Sequence, residues 1–230
     1  MTARFDEYRD TYRREVEKSI SFIGRDLTFF TEVKARVLVE LARRELGDPH
    51  AVHALDVGCG PGETDAFLVG RLGAIEGVDV SQGVVDAARE RNPSVAYEAY
   101  DGEHLPYPDR AFDLVFSICV VHHVPPERWQ AYVAELARVV RPGGVLALIE
   151  HNPLNPLTRL AVSRCEFDDD AVLLGRRRSE GLLRAAGLRL RRSRYIIFFP
   201  WRSRALSSAE RVLRRVPFGA QYVVVGRRPG

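Results

Sequence analysis

The sequence contains only three cysteines, and these lie far apart, at Cys59, Cys119 and Cys165. An odd number of widely spaced cysteines matches neither a disulfide framework nor a cysteine-based metal cluster. We therefore expect free thiols, and the sequence predicts no metal site.

Long hydrophobic runs are also absent. No stretch of the 230 residues approaches the roughly 18 apolar residues of a membrane-spanning helix. The polar start from Met1 to Asp10 lacks the hydrophobic core of a signal peptide. These absences predict a cytoplasmic location. With 46% hydrophobic and 28% charged residues, the composition is typical of one globular domain.

Lysine is nearly missing, since Lys18 and Lys34 are the only two lysines among 34 basic residues. Arginine therefore carries the positive charge, and residues 176–230 hold fifteen arginines against only Glu180 and Glu210. Such asymmetry can indicate an anionic partner, such as nucleic acid, a membrane surface or a phosphorylated substrate. A solvated arginine-rich face explains it equally well, and both interpretations stay open.

A glycine-rich turn at residues 58–62 joins an apolar run to a helical pattern. Residues 51–57 are typical of a short buried strand, and the apolar spacing from Ala66 to Leu72 predicts a helix. Glycines let the backbone bend sharply and leave no Cβ between chain and ligand, while a helix start offers free N–H groups. The pattern predicts a cofactor-binding turn that suits a carboxylate-bearing ligand.

Asp79 closes the second predicted strand, at residues 74–80. An acidic residue about 20 residues beyond the glycines is where a doubly wound sheet grips both ribose hydroxyls of a nucleotide. Ser81 is the better cap for the helix that follows, so we predict that Asp79 is the ribose ligand. The dinucleotide fingerprint Gly-x-Gly-x-x-Gly would need glycine where this chain has Glu63.

Further motifs follow the turn in order. Residues 101–109 read Asp-Gly-Glu-His-Leu-Pro-Tyr-Pro-Asp, and residues 112–117 read Phe-Asp-Leu-Val-Phe-Ser. Arg-Pro-Gly-Gly then leads into an apolar strand within residues 141–150. Together with Asp56 and the glycine turn, these motifs resemble the class I S-adenosylmethionine-dependent methyltransferases, in particular the type 11 or ubiquinone-biosynthesis-like group. The resemblance covers about residues 50–150.

Strands alternating with helices predict an α/β fold with a parallel, doubly wound sheet whose ligands gather at the carboxyl ends of its strands. The resemblance implies a Rossmann-like sheet of seven strands, parallel with an antiparallel last strand, and helices on both faces. It also implies S-adenosylmethionine as cofactor, with S-adenosylhomocysteine as product, and an adenine contact from Asp101 with Gly102 beside it. The predicted cofactor-binding residues are Asp56, Gly58, Cys59, Gly60, Gly62, Asp79, Val80, Asp101, Gly102, Ile118 and Tyr12.

Histidines mark the predicted site of chemistry. His122 and His123 follow the fourth strand, where the sulfonium should lie, and His151 follows the fifth. Histidine titrates near neutral pH, which makes each a candidate general base. A base is needed only if the acceptor is a weakly acidic hydroxyl, a carbon or a protonated amine. A histidine that only hydrogen-bonds the cofactor, or packs, fits the pattern equally well.

The segment after the fifth strand starts at the ligand end of the sheet. Two prolines argue against a regular helix there, so residues 151–159 are predicted to cross the pocket as a loop. Asn152, Asn155 and Arg159 are its candidate substrate ligands. Glu166 and residues 168–170 add an acidic cluster to these polar groups, and the alternative for residues 168–170 is that they only begin a helix.

Two further segments flank the motifs. Residues 1–48 are predicted to form an N-terminal helical lid, with helical spacing at residues 4–23 and 28–46. Residues 49–230 would form the cofactor-binding domain, with an insertion at 201–219 between the last two strands. The basic amphipathic part of that insertion is compatible with a membrane surface, with a cap over a hydrophobic substrate, or with packing onto its own domain.

Nucleic-acid methylation has little support in the motifs. The Asn-Pro-Pro-Tyr type of motif is missing after the fourth strand, and Cys119 follows Ile118 rather than proline. We predict methyl transfer to a small-molecule or lipid-linked acceptor, an anionic one included. The alternatives are a nucleic-acid methyltransferase that uses the arginine-rich C-terminal third, or a subunit that binds the cofactor and transfers nothing. The sequence leaves the oligomeric state open between monomer and homodimer.

Overall fold

The computed structural model describes residues 12–24, 26–199, 213 and 216–230. Residues 1–11 and most of the predicted 201–219 insertion therefore lie outside the described residues. Tyr12 begins the first helix, but its side chain lies outside the description too, so its predicted role as a lid over the cofactor stays a prediction.

Helices and strands alternate through most of the described chain. The helices are α1 (Tyr12–Ile20), α2 (Leu27–Glu45), α3 (Gln82–Arg91), α4 (Trp129–Val139), α5 (Pro156–Val162) and α6 (Arg176–Ala185). The strands are β1 (His53–Val57), β2 (Ala74–Asp79), β3 (Ala96–Ala99), β4 (Phe112–Ile118), β5 (Val140–His151), β6 (Arg189–Ile196) and β7 (Gln221–Arg227). Among these helices, none has the combination of length and apolarity that crossing a membrane requires.

The strands form one seven-stranded sheet in the order β3-β2-β1-β4-β5-β7-β6. Strands β1 to β5 run parallel, while β7 pairs antiparallel with both β5 and β6. This confirms the predicted Rossmann-like sheet with its antiparallel last strand. The strand order reverses between β1 and β4, so a crevice opens at their carboxyl ends.

Strand β5 shows how both faces of the sheet are covered. Leu146 and Leu148 are fully buried on one face, among side chains of α4 and α6. Ala147 and Ile149 are fully buried on the other face, among side chains of α2 and α3. A strand covered on both faces reads as a continuous apolar run, which is why this segment is so hydrophobic.

The helix predicted after the glycine turn does not form. Asp65–Phe67 makes a short 3-10 turn, and further turns lead into β2. Gly70 adopts a left-handed conformation, with φ of 72°, which a right-handed helix cannot accommodate. Asp65 is also fully buried and accepts a hydrogen bond from the Tyr97 hydroxyl, so tertiary contacts decide the path of this segment.

After β5 the structure contradicts the predicted loop and one of the two alternatives for the acidic cluster. The predicted loop contains the start of α5, because Pro156 occupies the first helical turn, where proline is tolerated. Asn155 caps this helix, and its side-chain oxygen accepts a hydrogen bond from Thr158 N at 3.0 Å. The acidic cluster begins no α-helix, since Glu166–Asp168 is a 3-10 turn and non-helical chain follows.

Ion pairs connect α2 to β6. The Glu45 carboxylate accepts hydrogen bonds from Arg191 and Arg192, each at 3.0 Å, and Glu40 accepts one from Arg194 at 2.9 Å. Part of the positive charge of the C-terminal third is therefore balanced by acidic residues of an N-terminal helix. These contacts favour a structural role for these three arginines over the binding of an anionic partner.

Candidate functional site

A cavity of about 360 Å³ opens at the carboxyl ends of β1, β2, β4 and β5. Its roof comes from α1, α2 and α5, and its floor from the loops that follow the strands. Predicted cofactor residues that line it are Gly58, Gly60, Asp79, Val80, Gly102 and Ile118. Those that do not are Asp56, Cys59, Gly62 and Asp101.

The glycine turn bends at Gly58, where φ is 80°. A Cβ built there would lie 2.4 Å from Val120 Cγ2, so only glycine fits between this turn and the loop after β4. The Gly58 and Cys59 N–H groups both donate to Val78 O, at 2.8 and 3.0 Å. The turn is thus fixed to the end of β2 and presents backbone, not side chain, to the cavity.

Asp79 stands at the end of β2, beside this turn. Its carboxylate accepts hydrogen bonds from Gly60 N at 3.0 Å and from Ser81 N at 3.1 Å. Ser81 also caps α3, because its hydroxyl accepts from Val84 N. Ser81 thus caps α3, as predicted, and Asp79 lines the cavity, where its role as ribose ligand stays a prediction.

Asp56 lies below the turn rather than in the cavity wall, and its side chain is buried. The neighbouring Asp65 is buried as well, so the two carboxyl groups titrate as a coupled pair. Burial, then the charge of Asp65, raises the pKa of Asp56 well above its usual range. Burial likewise raises the pKa of Asp65 to about 7. Tyr97 donates to Asp65, and Asn92 donates to Gly62 O, which ties this buried network to the turn.

The buried pair contributes stability that is lost as pH rises. An unfolded aspartate has a pKa of about 4, so between about pH 4 and pH 7 Asp65 retains in the folded chain a proton that it has lost in the unfolded chain. The contribution of this pair to the free energy of unfolding should decline across the window, while cavity histidines with a lowered pKa contribute in the opposite direction. Urea titrations at several pH values should show that Asp65→Asn shifts the slope of stability against pH towards more positive values, whereas Asp86→Asn, on α3, keeps the native slope. A native slope in Asp65→Asn would argue against the raised pKa of Asp65.

Asp101 is placed differently from the expectation. Its carboxylate is exposed and accepts hydrogen bonds from Glu103 N at 2.7 Å and His104 N at 2.6 Å. Both bonds lower the pKa of the Asp101 carboxyl below its usual range, and the bond from His104 N has the larger effect. The carboxylate thus closes its own loop, while the neighbouring Gly102 lines the cavity.

His122 is buried and held by carboxylates on both ring nitrogens. Its Nδ1 lies 2.6 Å from Glu150 Oε2, and its Nε2 lies 3.5 Å from Asp168 Oδ1. Burial opposes protonation of the ring, but the Glu150 charge and the two carboxylate contacts outweigh it and raise the pKa of His122 well above its ordinary value. Glu150 Oε1 accepts from Val120 N and Val121 N, so the carboxylate is itself fixed.

His123 and His151 flank His122 and also line the cavity. Their ring centroids lie 4.2 and 5.1 Å from that of His122. Burial, followed by the positive charge of His122, lowers the pKa of each ring to about 4. At neutral pH these two rings are therefore uncharged, whereas His122 is an imidazolium.

The three candidate substrate residues separate in the structure. Asn155 lines the cavity, but Asn152 and Arg159 do not. Asn152 is buried and donates to Pro217 O and Gly219 O, which joins the end of β5 to the chain before β7. Arg159 lies on an exposed position of α5. The Asn155 side chain also caps α5 and donates to Phe218 O, so all three polar side chains serve structure or face solvent, and Asn155 alone among them borders the cavity.

Sequence reasoning missed several residues of the site. Glu150 lies near the end of an apolar strand, and nothing in the sequence indicates that it pairs with His122. This pairing depends on the register of β4 and β5. Lys34 projects from α2 into the cavity, although its position in the sequence looks like any helical surface residue. Tyr100 and Gln221 line the cavity as well.

Comparison with known proteins agrees with this geometry. A family model described as a methyltransferase domain matches residues 55–148. The methyltransferase GfsG of Streptomyces halstedii is 41% identical over 103 residues, covering 42% of this chain and 36% of that protein. A trans-aconitate 2-methyltransferase of Methylobacterium nodulans is 38% identical over 122 residues, covering 52% of this chain and 45% of that protein. The chain thus spans less than half the length of these curated relatives.

Solved structures agree on the fold. A S-adenosylmethionine-dependent methyltransferase of Thermotoga maritima, described as a possible histamine N-methyltransferase, superposes with a TM-score of 0.68 at 20% identity. The match covers 98% of this chain and 99% of that one. With its sheet order, glycine turn and acidic strand end in the expected places, the chain has the fold of the class I S-adenosylmethionine-dependent methyltransferases, and its residues 55–148 match a methyltransferase domain.

Proposed function

We propose that the protein transfers a methyl group from S-adenosylmethionine to a small-molecule or lipid-linked acceptor. The observation that carries this proposal is that one cavity joins the glycine turn and Asp79 to the three histidines, beneath a roof of helices. Its volume of about 360 Å³ lies within the range of small-molecule sites. The enclosure favours a compact acceptor over a polymer.

The cofactor end of the cavity fits the group that the family uses. S-adenosylmethionine supplies a methyl group already activated by its sulfonium, so the protein has to align the acceptor and exclude water. Asp79 would accept hydrogen bonds from the ribose hydroxyls, and Gly58 and Gly60 leave space for close backbone approach. Gly102 and Val80 supply the remaining wall on that side.

The acceptor end combines apolar walls with a single lysine. Ile20, Leu27 and Phe30 line it from α1 and α2, and Lys34 lies on the same face of α2. An acceptor with an apolar body and an acidic group would bury the first against these walls and pair the second with the lysine. The name of the trans-aconitate 2-methyltransferase relative, an enzyme of a small acid, is in keeping with this substrate class.

The histidines do not offer equal chemistry. His122 is bonded to Glu150 through Nδ1 and is already protonated at neutral pH, so it orients the site and cannot take a further proton. His123 and His151 line the cavity next to it and remain the candidates that could take a proton from the acceptor. An acidic acceptor, already ionised, would need no base.

The test measures binding and turnover separately. Calorimetric titration should show that S-adenosylmethionine and S-adenosylhomocysteine bind at one site. S-adenosylhomocysteine formation should then appear with apolar carboxylic or hydroxylated acceptors and not with RNA transcripts.

Lys34→Met should raise KM for carboxylate acceptors by about tenfold, the size of one charge-assisted bond, without weakening the binding of the cofactor. Arg36→Met, on the same helix, is the matched control.

The negative outcomes of these binding and turnover measurements lead to different conclusions. No binding of either nucleoside would overturn the proposal. Binding without turnover on any acceptor would favour the cofactor-binding subunit instead. Turnover on RNA with steep salt dependence would favour the nucleic-acid alternative.

A further inference from the structure

Three potential metal ligands converge on one wall of the cavity. His122, His123 and Asp168 each offer one ligand atom, and these three atoms all lie within 4.8 Å of one another. The sequence predicted no metal site, because these residues come from segments far apart in the chain. We propose that they form a binding site for a divalent transition-metal ion of the zinc, cobalt or manganese type.

The distances between ligand atoms are the first argument. Asp168 Oδ1 lies 3.5 Å from His122 Nε2 and 3.4 Å from His123 Nε2. A charge-assisted hydrogen bond would bring such atoms to about 2.7–2.9 Å, so both contacts are too long for one. Around a tetrahedral ion with bonds of about 2.0–2.2 Å, neighbouring ligand atoms lie about 3.3–3.6 Å apart. The observed spacing fits ligands around an ion better than a hydrogen-bonded pair.

The contacts behind the ligands are the second argument. Glu150 Oε2 lies 2.6 Å from His122 Nδ1, which turns Nε2 of the same ring towards Asp168. Binding of the ion would displace the proton that Nε2 carries in the metal-free protein and release it to solvent. Carboxylates in this position orient metal-bound histidines and raise their basicity. The N–H groups of Val120 and Val121 donate hydrogen bonds to the Glu150 carboxylate, so the group that orients the His122 ring is itself held in place.

The two segments that carry the ligands are also tied together. His122 and His123 end the 3-10 turn Val121–His123, and Asp168 ends the 3-10 turn Glu166–Asp168. Val172 N donates to His122 O at 2.9 Å, which holds the second segment against the first. All three ligands line the cavity, so the fourth position faces open space, as in catalytic rather than structural zinc sites.

The ligand types select the class of ion. Two imidazoles and one carboxylate favour first-row transition metals, whereas magnesium and calcium prefer oxygen ligands alone. The open position would take an oxygen atom of the acceptor. This last step rests on the proposed methyl transfer, while metal binding itself does not.

The experiment measures metal binding in the whole chain, purified without a polyhistidine tag. After treatment with a chelator, Co²⁺ is titrated and its visible absorption followed, and Zn²⁺ binding is measured by calorimetry. We expect one ion per chain, with the intense Co²⁺ bands of a tetrahedral nitrogen and oxygen site. Asp168→Asn and His123→Ala should both lose the bands, and His104→Ala, an exposed histidine outside the cluster, should keep them.

The outcomes separate this proposal from the preceding one. Absence of Co²⁺ bands and of Zn²⁺ heat in the native chain would overturn the metal site, as would unchanged binding in Asp168→Asn. Circular dichroism checks that both variants fold. S-adenosylmethionine titration of the same chelator-treated protein tests the cofactor site, so the two proposals fail independently.

Discussion

Asp79→Ala is expected to weaken S-adenosylmethionine binding by about 100-fold or more. In the proposed complex the carboxylate accepts two hydrogen bonds from the ribose, and a hydrogen bond to a charged group is worth about 1.5–3 kcal/mol. Loss of both therefore removes at least about 3 kcal/mol, or two orders of magnitude in Kd. Asp79 also fixes Gly60 N in the free protein, so the variant loosens the turn as well. Calorimetric titration measures the change directly.

Asp101→Ala is the informative comparison. Its carboxylate is exposed and bonded to its own loop, so the structure predicts a smaller loss of cofactor affinity than in Asp79→Ala. Equal losses in the two variants would mean that the loop rearranges and that the adenine contact implied by the family resemblance forms after all. Unchanged affinity in Asp79→Ala would refute the assignment of the ribose site.

Glu150→Ala is expected to lower the free energy of unfolding by about 3–5 kcal/mol, the cost of removing one partner from a buried ion pair. The glutamate is fully buried and faces the imidazolium of His122. Its removal leaves that charge without its closest partner and strips two backbone N–H groups, at Val120 and Val121, of their acceptor. Urea unfolding followed by circular dichroism measures the loss.

Glu98→Ala is the matched control, since its side chain is exposed on the edge strand β3 and should change stability by no more than about 0.5 kcal/mol. A loss in Glu150→Ala no larger than in this control would mean that the buried pair contributes little. Glu150→Gln preserves the volume, so it should show how much of the loss comes from charge.

The sheet could be predicted because its signals are local. Each strand and the glycine turn is defined by a few consecutive residues, and the structure has the predicted parallel strands with an antiparallel last strand. The helix after the turn failed for the opposite reason. The buried Asp65 depends on a hydrogen bond from Tyr97, on another strand, which spacing along the chain does not reveal.

The surroundings of the cavity histidines show the same limit of prediction from sequence. His122 was recognised as part of the site, but Glu150 and Asp168 act on it from elements that meet only in the folded sheet. Pro156 was taken as a helix breaker, although proline at the first helical position permits the helix that Asn155 caps. Asn152 looked like a substrate ligand because a buried structural asparagine and a ligand have the same sequence signal.

Strand β7 comes last along the chain among the strands that the structure describes, yet it lies between β5 and β6. While the chain leaves the ribosome, β6 has no neighbour in the sheet and β5 keeps an open edge until Gln221–Arg227 has emerged. The ion pairs from α2 to β6 also join residues 146 to 154 positions apart. Closure of the sheet is therefore a late folding event. A chain cut before β7 would expose two strand edges and aggregate rather than fold.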